Sequence, residues 1–351
     1  MLNLISRKRG IVGVDIGARC VKVAQLAARS GQLQLQRAII LDRQAAKTDT
    51  VGEPFCLTDL QDLLRACEVF SGRDVAAVLS MAACEVKSEK VEPNLPSRQL
   101  MSRAREMARR DSCLPTPLQQ DFWTSNTGPN QRALHVLSTS RQTTTTLMKS
   151  HRAAGWTCVA LDGLPTALSR AARLGGYAEE TPVVAIDWGW SRVTLCIVFR
   201  GESLFVRSFH RGALGTIVNS ICKDLRLRRQ EARELLTTVG VAASGERTSA
   251  SRTASAVARC SRAAFGELEL EVARTLDFVQ ARHRDIAPQQ IVLFGGGATI
   301  SGVTHWFTTT FDRPCEVWNY PHIAGGNVDS PPCTPLLGPA IALSALAWER
   351  S

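Results

Sequence analysis

Apolar and polar positions alternate in one distinctive way near the start of the chain, and the same rhythm returns half a chain later. Ile11–Asp15 (IVGVD) is an apolar run that ends on a carboxylate, and a turn at Asp15-Ile16-Gly17 leads into a second run over Val21–Leu26. ARSGQ then separates that run from a third over Leu33–Ile40. Short runs rich in β-branched residues, bounded by Asp, Gly and Ser, predict three strands in an antiparallel meander. The second copy reads Val183–Asp187, a turn, Val193–Phe199, RGES, and Leu204–Phe209. A period this long excludes a solenoid array and predicts two related lobes.

Helical periodicity follows each meander. Residues 58–70 (TDLQDLLRACEVF) carry it after the first copy, and residues 215–225 and 228–240 after the second. DVAAVLS (74–80) and RALHVLSTS (132–140) read as strands, with a Pro-punctuated stretch between them at 91–123 that reads as an inserted subdomain. Further helices are expected over 143–155, 161–176 and 255–283, the last running into a strand at QQIVLFGG (289–296) and then a helix over SGVTHWFTTTF. GPAIALSALAW (338–348) is expected as a final helix with its proline near the start. AASGERTSASRTASA (242–256) is compositionally biased and reads as a loop.

Composition narrows the class. With 351 residues, 44% hydrophobic and 21% charged, the chain has the make-up of a globular protein large enough for two domains. It has no apolar run long enough for a membrane helix and no signal-peptide core behind MLNLISRKRG. The 11 cysteines are odd in number and form no CxxC pair, so they read as small buried hydrophobes rather than disulfides or a zinc site. The 6 histidines lie apart, without HExxH. The net charge of +10 is dense at 97–110 and 223–233, which admits an anionic membrane face as a partner. No aromatic residues interleave those charges as in a single-strand binder, so nucleic acid is not expected. Leu100, Met101, Ala104, Met107 and Ala108 set an apolar stripe in the first basic segment, so its charges also read as the solvated face of a helix.

The candidate chemistry sits at the hairpin tips. Glycine lets successive backbone N–H groups turn toward a ligand and form a concavity suited to phosphate. A carboxylate beside phosphate is repelled unless it acts through Mg²⁺ and its waters. One Asp-x-Gly turn is ordinary turn chemistry. Two of them in matched three-strand contexts, Asp15/Gly17 and Asp187/Gly189, can grip a polyphosphate from both sides. A third element, IVLFGGGATISGV (291–303), is a buried strand ending in Gly295-Gly296-Gly297-Ala298, where backbone can approach a flat ligand. Residue 300 is Ile, which excludes GxGxxG, and GxxxxGK[ST] is absent.

The order DxG, DxG, GGGA resembles the phosphate-1, phosphate-2 and adenosine motifs of the actin-like ATPase superfamily, and VGVDIGARCVKVAQL resembles the opening of its PilM-type branch from type IV pilus assembly. LPSRQLMSRAREMARR with LPTPL and DFW, then GWTCVALDGLPTALSRA, ELELEVARTLDFVQ and GPAIALSALAW, are similar to further segments of that branch. The resemblance implies an α/β, bilobal actin-like (ribonuclease-H-like, duplicated) fold. Its first lobe would span residues 1–178 with a small subdomain inserted at about 86–125, its second lobe 179–320, and a C-terminal segment, 321–351, would return to the first lobe.

The resemblance further implies ATP between the lobes. Its contacts would be Asp15, Gly17, Ala18, Arg19, Cys20 and Lys22 in the first loop, Asp187, Gly189, Trp190, Ser191 and Arg192 in the second, and Gly295, Gly296, Gly297 and Ala298. Mg²⁺ would be held by Asp15 and Asp187 through water. The implied partners are the cytoplasmic N-terminal tail of a PilN-like inner-membrane protein and other proteins of the pilus assembly platform. The implied setting is the cytoplasm, peripheral at the inner membrane, with weak or absent hydrolysis. Arg19-Cys20 replaces small hydroxyl residues of the family pattern, Trp188 and Trp190 replace small ones, and Gly212-Ala213 replaces a glycine pair. Arg233 and Leu236 replace an acid and a lysine. Alternatives on the same fold are a sugar-kinase-like phosphotransferase, for which no third acid with a clear motif is present, an FtsA-like tether, and a GspL-like secretion protein.

Overall fold

A computed structural model describes residues 9–43, 64, 68–128, 131–240, 252–282, 286–323 and 334–349. The helix expected over 58–70 and the biased segment up to residue 251 lie largely outside them.

The two meanders build two sheets of identical plan. In the first, β1 (Val12–Ile16) pairs antiparallel with β2 (Cys20–Arg29), and β2 with β3 (Gln32–Asp42). β4 (Asp74–Leu79) adds parallel to β1 and β8 (Thr157–Gly163) parallel to β4, giving the order β3-β2-β1-β4-β8. In the second sheet β9 (Val183–Trp188), β10 (Val193–Phe199) and β11 (Glu202–Phe209) repeat the meander. β12 (Gln290–Phe294) and β13 (Cys315–Val317) add parallel on the other side of β9. The copies match in register: Asp15 faces Lys22 across β1/β2, and Asp187 faces Thr194 across β9/β10, seven residues on in each copy. The central strands are buried on both faces, which accounts for their continuous apolar runs.

Between β4 and β8 the chain forms a three-stranded antiparallel sheet of order β5-β7-β6, from β5 (Cys84–Val91), β6 (Leu118–Gly128) and β7 (Gln131–Ser140). Helix α1 (Ser97–Arg109) covers it through Leu100, Ala104, Met107 and Ala108, four of the five stripe positions read from sequence. Met101 is the exception and is exposed, because it stands on the opposite side of the stripe from Leu100. Helix α2 (Arg141–Ala153) then leads to β8 (Thr157–Gly163) at the edge of the first sheet.

The region expected as one helix over 161–176 is divided. Residues up to Gly163 pair with β4, and helix α3 (Leu164–Leu174) starts only where Pro165 occupies its first turn, a position that needs no N–H. α3 is apolar on most of its circumference because it is buried from both sides: it packs on β8 and β4 of the first sheet and on β10 and β11 of the second. The second lobe adds α4 (Leu214–Leu225), α5 (Arg229–Val239), the long α6 (Arg252–Arg282) and α7 (Val303–Phe311). α6 takes in the last five residues, 252–256, of the stretch read as loop, since its Ala and Ser residues are compatible with a helix and Val257, Cys260 and Ala264 face the core.

Helix α8 (Thr334–Ser344) lies across both sheets, followed by the short α9 (Leu346–Glu349). Pro339 is inside α8 rather than at its start. A proline there cannot donate to the carbonyl four residues back, so Pro335 O is released and accepts the Gly295 N–H at 2.9 Å. The proline thereby fastens α8 to the glycine turn. Gly13 of β1 backs onto the same helix so closely that a Cβ would overlap the Ala340 carbonyl. Ser344 Oγ accepts the Leu26 N–H of β2 at 2.8 Å. The segment after β13 completes the union: the Tyr320 hydroxyl donates to Leu33 O at 2.7 Å and Leu35 N–H to His322 O at 2.8 Å. One apolar cluster, including Leu26, Ala76, Ala185, Val292, Phe294, Trp318 and Ile341, therefore belongs to both sheets.

Candidate functional site

Both aspartates stand at the ends of central strands, and both turns close in the same way. The Gly17 N–H donates to Cys20 O at 2.9 Å and the Gly189 N–H to Arg192 O at 3.0 Å, two and five residues beyond the respective aspartate. The sequence places a carboxylate and a glycine at equivalent points, and the duplicated plan turns the two tips toward each other.

Lys22 is the link. Its ammonium donates to Asp15 Oδ2 at 2.6 Å, with side-chain exposures of 12% and 11% that mark a pair largely shielded from water. Burial opposes the lysine charge, but Asp15, Cys20 and Asp187 together hold its pKa well above the ordinary lysine range. The Asp187 carboxyl is half-buried and is pushed up to about 6, first by burial and then by the Asp15 charge, with Lys22 acting against the shift. The two halves of the chain thus bring Asp15, Lys22 and Asp187 into one electrostatic cluster. Cys20 lies beside them with its thiol pKa raised chiefly by burial, which leaves it a packing residue rather than a thiolate.

The sign of the Asp187 shift gives a test. A carboxyl whose folded pKa is raised stabilises the fold below its unfolded value of about 4, and that contribution is lost as pH rises through about 6. At pH 8 the ionised group costs up to about 3 kcal/mol. Asp187→Asn is expected to raise stability at pH 8 by up to that amount and to leave it nearly unchanged at pH 4. Urea melts at the two pH values check this; a destabilised Asn variant at pH 8 would show that the carboxylate is held by favourable contacts instead.

Around the cluster the loops are cationic. Arg19 reaches from the first loop to the second, its Cζ 5.1 Å from the centroid of the Trp190 ring, within cation–π range. Arg43, at the end of β3, donates from Nη1 to Gly17 O at 2.6 Å and from its backbone N–H to Arg19 O at 2.8 Å. Arg192 Nε donates to Ser208 Oγ at 3.0 Å. Arg233 Nη1 of α5 lies 3.8 Å from Asp42 Oδ1, a second connection between the halves. Arg43 and Asp42 escape sequence reasoning because they sit over twenty residues from the first loop and carry no motif.

The glycines divide by role. Gly295 has φ +78°, and a Cβ there would overlap Asp187 Oδ1 and crowd the Trp188 carbonyl oxygen at 2.8 Å. Gly297 is required by protein packing, because a Cβ would run into the Trp188 indole. That indole is fully buried, donates from Nε1 to Gly212 O at 2.9 Å and packs edge-on against Phe265 and Phe307. Trp188 therefore points into the second-lobe core, away from the cluster. Trp190 is half-buried against the second-lobe core, its carbonyl accepting the Gly215 N–H at 2.8 Å while Gly189 O accepts the Leu214 N–H at 3.1 Å. These bonds occupy the first N–H groups of α4 with loop carbonyls. Ala18 is exposed and Ser191 and Gly296 are half-buried, whereas Ala298, expected from the sequence at the nucleotide, is packed into the second-lobe core.

A separate groove of about 360 Å³ lies on the first lobe between β6 of the inserted sheet, α2 and β8. Trp123, Leu137, Met148, Val159, Ala160 and Asp162 are among its walls. Both β6 and β8 are edge strands, and Met148 and Val159 are large apolar side chains left exposed there.

No protein-family model matches the sequence, and no curated protein matches it. Among solved structures the chain is similar to the PilM–PilN type IV pilus biogenesis complex, at 19% identity over 96% of this chain and 98% of that one, with a TM-score of 0.77. It is also similar to the ethanolamine utilization protein EutJ from Carboxydothermus hydrogenoformans, at 12% identity over 98% and 92% of the two chains, TM-score 0.54. MreB 5 of Spiroplasma citri bound to AMPPNP matches at 13% identity over 94% and 93%, TM-score 0.50. With the duplicated sheet plan, these likenesses establish the bilobal actin-like fold. Among the described residues no helix is long and apolar enough to cross a membrane.

Proposed function

We propose that this chain is a nucleotide-binding scaffold of a type IV pilus or related assembly platform, cytoplasmic and peripheral at the inner membrane. In this reading ATP lies between the Asp15 and Asp187 loops against the Gly295–Ala298 turn. The groove on the first lobe takes the cytoplasmic tail of a PilN-like membrane protein, beside other proteins of the platform. The observation that carries the reading is the likeness, over nearly the whole length of both chains, to a protein solved in a pilus complex with PilN. The groove adds to it: among the described residues β6 and β8 stand at the edges of their sheets, where an extended peptide can add, and Met148 and Val159 offer apolar contact.

The residues present suit a polyphosphate, since the two loops carry Lys22, Arg19 and Arg192, Arg43 braces the first of them, and both loops turn on glycine. Bound nucleotide would bias the arrangement of the lobes by differential affinity, without turnover being required. The reading is tested by pull-down with a synthetic tail peptide of a PilN-like protein encoded nearby. Capture is expected with the native chain, and Val159→Asp is expected to weaken it about tenfold or more with an unchanged melting temperature. Equal capture by the variant would remove the groove from the account, and no capture by either protein would remove the partner.

A further inference from the structure

Helix α1 covers the inserted sheet with one side and turns the other outward, and the five arginines between residues 97 and 110 divide by partner. Arg103 bonds to Glu89 and to Glu106 Oε2 at 2.9 Å, and Arg110 bonds to Glu106 Oε1 at 3.0 Å. Arg98, Arg105 and Arg109 are exposed and have no ion pair among the described residues. At helical spacing these three fall within an arc of about 40° and extend about 16 Å along the axis. Glu106 flanks the stripe but is spent on Arg103 and Arg110, and Glu92 and Asp111 stand outside the helix. Met101 shares the outward side at 46% exposure, with Arg105 Nη2 3.5 Å from its sulfur.

Helix stability does not call for this stripe. Arg98 stands in the first turn, where the helix dipole disfavours a cation and no acid offsets it. A face that serves solubility alone mixes both signs, and this one carries a single sign. From this placement we infer that α1 lies flat on an anionic lipid surface, with Arg98, Arg105 and Arg109 at the headgroup phosphates and Met101 reaching below them. The inference rests on the peripheral membrane placement proposed above and names the face that makes it. Each guanidinium offers paired N–H donors that match phosphate oxygens. Met101 favours lipid over a nucleic-acid backbone, because a thioether side chain gains by entering the acyl boundary and finds no apolar partner among phosphates. The stripe also has no aromatic side chain to stack on a base. α1 packs on β6, the strand that walls the groove, so one subdomain carries both contacts. A membrane-anchored tail held in that groove keeps lipid at high local concentration, and three arginines then suffice.

Co-sedimentation of the full chain with lipid vesicles at low ionic strength tests this. Binding is expected to phosphatidylcholine vesicles containing about 40% phosphatidylglycerol and not to phosphatidylcholine alone, with loss in about 0.5 M salt. Arg98→Gln, Arg105→Gln and Arg109→Gln together are expected to weaken binding about a hundredfold, near fivefold per arginine. Glutamine is as good a helix former and no ion pair is removed, so the melting temperature should not change. Met101→Ser is expected to weaken binding about threefold. Removing as many charges from the second lobe, by Lys223→Gln, Arg226→Gln and Arg262→Gln, is expected to keep binding within about twofold of native. Equal weakening by the two triple variants would assign the effect to net charge and overturn the inference. No binding to the anionic vesicles, native binding by the Met101→Ser variant, or tighter binding to duplex DNA with the same arginine dependence would also overturn it. Capture of the tail peptide by the groove is measured without lipid, so the inference and the reading it rests on fail separately.

Discussion

Lys22→Met is expected to cost about 3 to 5 kcal/mol of stability at pH 8, the loss typical of removing one partner from a buried ion pair. The cost comes less from the lost bond to Asp15 than from what remains, two carboxylates in one shielded cluster with no ammonium between them. Lys22 is also the group that opposes the rise of the Asp187 pKa, so without it Asp187 moves still higher. The sign follows: an acid with a raised folded pKa stabilises while protonated and loses that contribution as pH rises. The deficit of the variant should therefore be largest above pH 7 and should shrink as pH falls below about 6. Denaturant melts from pH 5 to 8 read it out. A deficit of under about 1 kcal/mol that ignores pH would mean the cluster is solvated, and the cleft chemistry argued from it would fail with it.

Gly13→Ala is the second large effect. A single methyl group there meets the Ala340 carbonyl, which belongs to helix backbone and cannot rotate aside. Strand β1 and helix α8 would have to separate, at the point where α8 also holds Leu26 N–H through Ser344 and the Gly295 turn through Pro335 O. A loss of about 3 kcal/mol or more is expected, at the upper end for overpacking. Gly17→Ala provides the contrast, because its Cβ would meet the flexible end of Lys22 at 3.0 Å and should cost far less stability. Equal melting curves for the two variants would show that α8 is not seated on β1 as described.

Much of this molecule could be read from residues alone. The two carboxylate hairpins, their strands and the glycine turn after β12 were legible because buried strands and glycine turns have local signatures, and the structure repeats them in register. β8 was hidden because Leu161, Leu164 and Leu168 fall at helical spacing across the Asp162-Gly163 break, so the end of the strand reads as the start of the helix. β13 is three residues long and exists only through its pairing with β12. The proline in α8 reads as a helix start because sequence alone cannot supply the acceptor-seeking N–H of Gly295 that makes an interior proline useful.

What the sequence by itself determined is the inventory: two aspartates on matched tips, a lysine seven residues after the first, an arginine and a tryptophan in the loops, and enough apolar strand to bury two sheets. Such choices are local, fixed by periodicity, turn chemistry and residue type. Only the tertiary structure decided which of those groups meet. It set Lys22 against Asp15 and within electrostatic reach of Asp187 from the opposite half, turned Trp188 inward and Trp190 toward Arg19, and made Gly297 a packing necessity. Those outcomes depend on distances between residues far apart in the chain, and Coulomb energy, desolvation and steric overlap are functions of distance in space rather than of separation in sequence.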